Sequence, residues 1–115
     1  MNESRRAKRR DVNQAIEVID TMTESSLGRI GNISQTGMMV IGNVQVPDDA
    51  LFQIRLGLVD DNGRQRNLDA GIQHLWTDDG SAPGQVWLGF RFIDISGPDA
   101  DFLRLWVEHP DRNRH

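Results

Sequence analysis

The chain of 115 residues contains no cysteine and no tyrosine, and only one of its thirteen basic residues, Lys8, is a lysine. Without cysteine there is no disulfide, thiolate metal site or cysteine nucleophile, and redox chemistry sets no compartment. Long apolar runs are also missing. The longest, Met38 to Ile41, falls far short of the ~20 residues that span a bilayer, and no apolar stretch follows the charged N-terminus. The sequence therefore predicts neither a signal peptide nor a membrane helix, and a cytoplasmic location. The length suits a single domain, and a hydrophobic content of 37% supports a modest barrel or sandwich core rather than a large enzymatic scaffold.

What is present is unevenly placed. Arg5, Arg6, Lys8, Arg9 and Arg10 against Glu3 give residues 1–10 a charge of +4, which leaves −8 for the rest of a chain whose total is −4. A basic arm on an acidic body points to a local anion site, while the body repels a long nucleic acid. A small phosphodiester fits that distribution better than DNA or RNA.

Residues 1–11 lack apolar periodicity and are expected to form a flexible arm, ordered when an anion neutralises it. Residues 12–110 follow as a barrel domain with a terminal helix, and 111–115 as a tail. A first strand is expected over Val12 to Met22, with Ile16 and Val18 on one face, and a turn at Glu24-Ser25-Ser26. Strands over Leu27 to Ile33 and Met38 to Ile41 follow. After a loop from Gly42 to Ala50, Phe52, Ile54, Leu56 and Leu58 alternate with polar residues, the period of a half-buried strand. Asp60-Asp61-Asn62-Gly63 marks a hairpin turn. A fifth strand runs from Gln65 to Trp76 with Leu68, Ala70 and Ile72 on one face, Asp78 to Gly84 is loop, and Val86, Leu88, Phe90 and Phe92 define a sixth. Ser96 and Asp99 stand three apart around Pro98, a helix start, and Phe102, Leu105 and Trp106 form the stripe of one amphipathic helix ending before Pro110. The fold class is mainly β: a six-stranded antiparallel split barrel, closed because closure removes exposed edges, with a basic arm and a C-terminal helix.

Two short motifs carry the chemistry. Arg6-x-x-x-Arg10 lies inside the run Arg5-Arg6-Ala7-Lys8-Arg9-Arg10, and Asn32-x-Ser34-x-x-Gly37 falls between two strands. Arginine offers a planar fork that pairs bidentately with the O6 and N7 edge of guanine, grips phosphate and stacks on a base. Asn and Ser hydrogen-bond at short reach, and glycine permits a tight turn. Each half alone is weak, since basic arms are usually solvated tails and Asn, Ser and Gly serve any turn. In this order and at this length, however, they resemble the PilZ family, whose members bind the bacterial second messenger cyclic di-GMP. The segment Trp76 to Phe92, with Leu88-Gly89-Phe90-Arg91-Phe92, is similar to the last two strands of that family. Arg5-x-x-x-Arg9 has the same spacing; Arg6 and Arg10 are preferred, because the family usually shows an additional arginine, here Arg5, just before the motif.

The resemblance implies a non-enzymatic bacterial receptor that changes conformation on binding cyclic di-GMP and signals to a partner protein in motility, biofilm or virulence control. Its ligand set would be Arg5, Arg6, Arg10, Asn32, Ser34 and Gly37, the arginines closing over the ligand, Asn32 and Ser34 holding it from the barrel, and Gly37 serving geometry. Arg5 implies a ligand taken up as a stacked pair. No cofactor or metal is implied, and no membrane; nucleic acid is disfavoured by charge. Rival readings are a ligand-independent protein-protein adaptor and a small nucleic-acid-binding barrel. Enzymatic patterns such as Gly-x-Ser-x-Gly or a phosphate-loop glycine run do not occur. His74, His109 and His115 are too scattered for a metal site and are expected at or near the surface. Asp60-Asp61 and Asp78-Asp79 read as turn residues. Trp76, Trp87 and Trp106 are expected to pack in the core or on the barrel surface, with Trp76 also a candidate to flank the ligand.

Overall fold

The computed structural model describes residues 8–60 and 62–108. Among them are seven strands and one helix: β1 (Arg9–Asp11), β2 (Glu17–Asp20), β3 (Ser25–Ser34), β4 (Gly37–Gly42), β5 (Leu51–Val59), β6 (Gln65–Asp79), β7 (Val86–Ile95) and α1 (Gly97–Glu108). Pairing runs β3-β2-β5-β6-β7-β4, and β4 pairs back onto β3, so six antiparallel strands close a barrel while β1 adds to β3 as a seventh. This is the barrel and terminal helix that the alternating pattern implied. Ile54, Leu56, Leu58, Leu68, Ala70, Ile72, Leu88 and Phe90 point inward and none is more than 3% exposed. Each large aliphatic or aromatic side chain buried this fully contributes about 1.5–3 kcal/mol. Among the described residues no helix is long and apolar enough to cross a membrane.

The N-terminal region differs from its expected layout. β3 is ten residues long, and β2 pairs with it only as far as Arg29, which would leave the edge at residues 32–34 unpaired. β1 takes that edge, with Arg9 opposite Ser34, Arg10 opposite Ile33 and Asp11 opposite Asn32. The last three residues of the expected arm are therefore strand; Arg5 and Arg6 lie outside the described residues. The strand expected over Val12 to Met22 is confined to Glu17–Asp20 and preceded by an outward loop at Asn13–Ala15. Val12 N donates to Gly31 O at 3.0 Å and Ile30 N to Ile16 O at 2.9 Å on either side of this loop, so Val12 and Ile16 still enter the core. Glu24 closes the β2–β3 turn with a left-handed φ of 57°, and its carboxylate accepts from Arg55 Nη2 at 2.9 Å. That hydrogen bond, then the charge of Glu24, raises the pKa of the exposed Arg55 guanidinium above its ordinary value.

Elsewhere the corrections are local. β6 continues through Asp78 and Asp79, which pair with Trp87 and Val86, so these two aspartates belong to a strand and not to a turn. In the β5–β6 turn the left-handed residue is Gly63, at φ 80°. α1 begins as its cap residues suggest: Asp99 N donates to Ser96 Oγ at 3.2 Å and Ala100 N to Ser96 O at 2.8 Å. The Asp99 carboxylate also accepts from Arg66 Nη2 at 3.0 Å, pinning the helix start to β6. The buried stripe is Leu103, Trp106 and Val107, while Leu105 is 48% exposed. Both triplets satisfy the i, i+3, i+4 rule, and the stripe is rotated by about one residue so that Trp106 Nε1 can donate to Val59 O at 2.9 Å.

Candidate ligand-binding site

Strand register aligns Asp11, Asn32, Met39, Gly89 and Trp76 in one row across β1, β3, β4, β7 and β6. Ile33, Met38, Val40, Leu88 and Phe90, adjacent to the row in sequence, are buried, and Trp76 itself is exposed, so the row lies on the outer face. At roughly 4.8 Å per strand, the three steps from Asn32 to Trp76 span about 14 Å. Glycines flatten this strip. A Cβ on Gly89 would enter the Trp76 indole, and one on Gly31 would fall 2.7 Å from Met39 Cε. Trp76 and Met39 thus lie across bare backbone as a smooth apolar floor, with Trp76 43% exposed.

Polar groups ring the floor. Arg9 Nη1 donates to Asn32 Oδ1 at 2.6 Å, which leaves most of the guanidinium donors and the Asn32 amide N–H groups available. The neighbouring outward row is Gly37, Arg91 and Gln73, and Arg91 Nε donates to Gln73 Oε1 at 2.7 Å. An open groove of about 520 Å³, lined by Gln35, Thr36, Arg91 and Phe92 among others, continues past the β3–β4 turn.

Ser34 occupies a different place from Asn32. Its side chain is 1% exposed and sits inside the turn, where Oγ accepts from Thr36 N and Gly37 N at 3.2 Å each. It is also 3.1 Å from Thr36 Oγ1. Its hydroxyl is committed to holding the turn that presents Asn32. Gly37 is required sterically, because a Cβ there would collide with Phe90 O.

Arg10 turns away from Asn32 towards the helix. Its guanidinium carbon lies 3.5 Å from the centroid of the Trp106 ring and Nη1 donates to Trp106 O at 2.9 Å. Alternation along β1 is the cause: adjacent strand residues point to opposite sides, so only one of Arg9 and Arg10 can reach the outer row. Of the sequence-derived set, the structure brings Asn32 and the Ser34–Gly37 turn together and directs Arg10 to α1. It places the alternative arginine Arg9 and the candidate Trp76 at the row and adds Met39, Gly89 and Arg91. Gly89 could have been noticed earlier, since a glycine inside a strictly alternating strand marks a close approach.

Trp76 reaches the row through a bulge. His74 pairs with Phe90, yet Gly89 pairs with Trp76, so Leu75 is extra. His74 is fully buried, where a surface or partly buried side chain was expected. Its ring is 5.4 Å from that of Phe90, and Nδ1 lies 3.0 Å from Pro47 O. Nε2 lies 2.9 Å from both Trp76 O and Thr77 Oγ1.

A strip that joins an aromatic floor to guanidinium and amide groups suits a planar base attached to phosphate. The PilZ domain family model matches residues 3–109, and the chain belongs to that family, one of regulatory and binding domains. Among solved structures, the Bacillus subtilis inhibitor of motility, MotI/DgrA, shares the fold: the TM-score is 0.79 over 99% of this chain, at 13% identity. The chain spans 54% of the length of that protein, and the likeness is one of fold. No curated protein matches the sequence.

Proposed function

We propose that the chain is a cytoplasmic, non-enzymatic receptor for cyclic di-GMP that passes ligand occupancy to a partner protein controlling motility, biofilm formation or virulence. The observation that carries this reading is the Arg9–Asn32 contact at one end of a row whose other end is the exposed face of Trp76. In it, Arg9 and Asn32 serve guanine edges and phosphates, Trp76 stacks on a base, and Ser34 and Gly37 hold the turn. The pair at the motif spacing is then Arg5 and Arg9, with Arg6 as a further cation of the arm and Arg10 joining β1 to the helix. With the pair at Arg5 and Arg9, Ser4 and not an arginine precedes the motif, so the stacked pair that Arg5 implied loses its basis, and Arg5 serves a single ligand by neutralising phosphate and stacking on a base. The test is calorimetric titration with cyclic di-GMP beside GTP and a single-stranded oligonucleotide. Saturable heat with the cyclic dinucleotide alone supports the receptor. No heat with any of them favours a ligand-independent adaptor, and salt-dependent binding of the oligonucleotide favours the nucleic-acid barrel.

A further inference from the structure

We infer that His74 is a positioning residue that selects, by holding the β6 bulge, which side chain forms the floor of the site; the inference rests on the proposed role of Trp76. Unbroken pairing beyond His74 and Phe90 would set Leu75 opposite Gly89. The observed pairing sets Trp76 there. A shift of one residue exchanges the faces of a strand, so the bulge decides between an aromatic floor that stacks on bases and an aliphatic one that does not.

A bulge needs something to hold it, because its extra residue breaks the ladder. The backbone of His74 is tied to the β4–β5 loop, with His74 N donating to Ala50 O at 2.9 Å and Asp49 N donating to His74 O at 3.1 Å. Its side chain does the rest. Pro47 O can only accept, so Nδ1 carries a proton and donates to it. With that proton on Nδ1, Nε2 accepts from the Thr77 hydroxyl at 2.9 Å and ties the strand just beyond the bulge to the ring that also holds the β4–β5 loop. A buried polar ring confined by contacts to the loop, the bulge and the strand beyond it is costly to leave without partners. An apolar side chain of similar size would fill the space without a partner for the Pro47 carbonyl or the Thr77 hydroxyl.

The contacts separate by reach. A glutamine amide oxygen extends about as far as Nε2 and can accept from Thr77 Oγ1, whereas an asparagine amide reaches only about as far as Nδ1. The experiment uses the full chain labelled with 5-fluorotryptophan and no ligand, the Trp76 resonance being identified by its loss in Trp76→Phe. His74→Leu and His74→Asn are expected to move the Trp76 signal towards that of a solvated indole, and His74→Gln to keep it near the parent position. The Trp106 signal, which reports the barrel and helix, should stay in place in all three. Cyclic di-GMP affinity should fall roughly 5- to 150-fold in the Leu and Asn variants and recover in Gln, the loss expected when one base-stacking partner is removed. An unmoved Trp76 signal in His74→Leu, equal rescue by Asn and Gln, or loss of the Trp106 signal in all three would overturn the inference. Failure of the parent chain to bind cyclic di-GMP would overturn the proposed function instead, since the fluorine measurement needs no ligand.

Discussion

Replacing Gly89 by alanine tests the floor of the site at a single atom. The added Cβ would sit 2.6 Å from Trp76 Cδ2 and closer still to other atoms of the indole, so the ring must leave its position over β7. The backbone of Gly89 is not in the left-handed region, and alanine therefore adds no conformational strain of its own. Overpacking a closed site costs about 1–3 kcal/mol. Here the low end applies, because Trp76 is 43% exposed and can swing into solvent. Loss of a stacking partner costs about 1–3 kcal/mol per base, or roughly 5- to 150-fold in Kd. Gly89→Ala should thus weaken cyclic di-GMP binding strongly while shifting the thermal midpoint little, in calorimetry and a melting curve on the same sample. Gly31→Ala is the matched control, since its Cβ meets the flexible end of Met39, which can move aside. Parent-like affinity in Gly89→Ala would show that the aromatic floor does not contact the ligand, and the site would have to be redrawn without Trp76.

The two arginines of β1 should separate in assay. Arg9→Ala is expected to lower cyclic di-GMP affinity by about 1.5–3 kcal/mol, or roughly tenfold to a hundredfold, with an unchanged melting midpoint. Arg10→Ala should destabilise the fold by about 1–3 kcal/mol through loss of the Trp106 contacts, read by urea unfolding; identical behaviour of the two variants would contradict this division. Ser34→Ala removes the acceptor of Thr36 N and Gly37 N and should cost about 1–3 kcal/mol in unfolding free energy. A titration should saturate at one ligand per chain and Arg5→Leu should weaken that binding; a parent stoichiometry of two would restore Arg6 and Arg10 as the motif pair, with Arg5 before it.

Alternation made the barrel legible, because Ile54-Leu56-Leu58 and Leu88-Phe90 can bury one face only as strands. Ser96 and Asp99 likewise announced the start of α1. Asn32 was legible through its motif. The partners of Asn32 were not: which of two adjacent arginines reaches it depends on the register of β1 against β3, a non-local pairing with no trace in spacing. His74 was misplaced for a related reason. Its burial requires the Pro47 carbonyl and the Thr77 hydroxyl to converge on the ring, and that convergence exists only once the β4–β5 loop and the bulge have formed. The stripe of α1 lies one residue from its expected place because both triplets are apolar at helical spacing and share Trp106, and only the burial of Leu103 and Val107 against the exposure of Leu105 distinguishes them.

The short strand β1 also has a protective role. Its pairing with residues 32–34 covers the stretch of β3 that β2 does not reach, and so completes a sheet that otherwise has an open margin. Unpaired strand margins invite the backbone of another chain. Whenever β1 detaches, the Asn32–Ser34 backbone becomes a template for strand addition, and the same three residues that present the ligand motif turn into a sticky seam. Anything that keeps β1 seated on β3 thereby also guards the chain against self-association through this edge, and a chain shortened to begin after Asp11 would carry that seam permanently open.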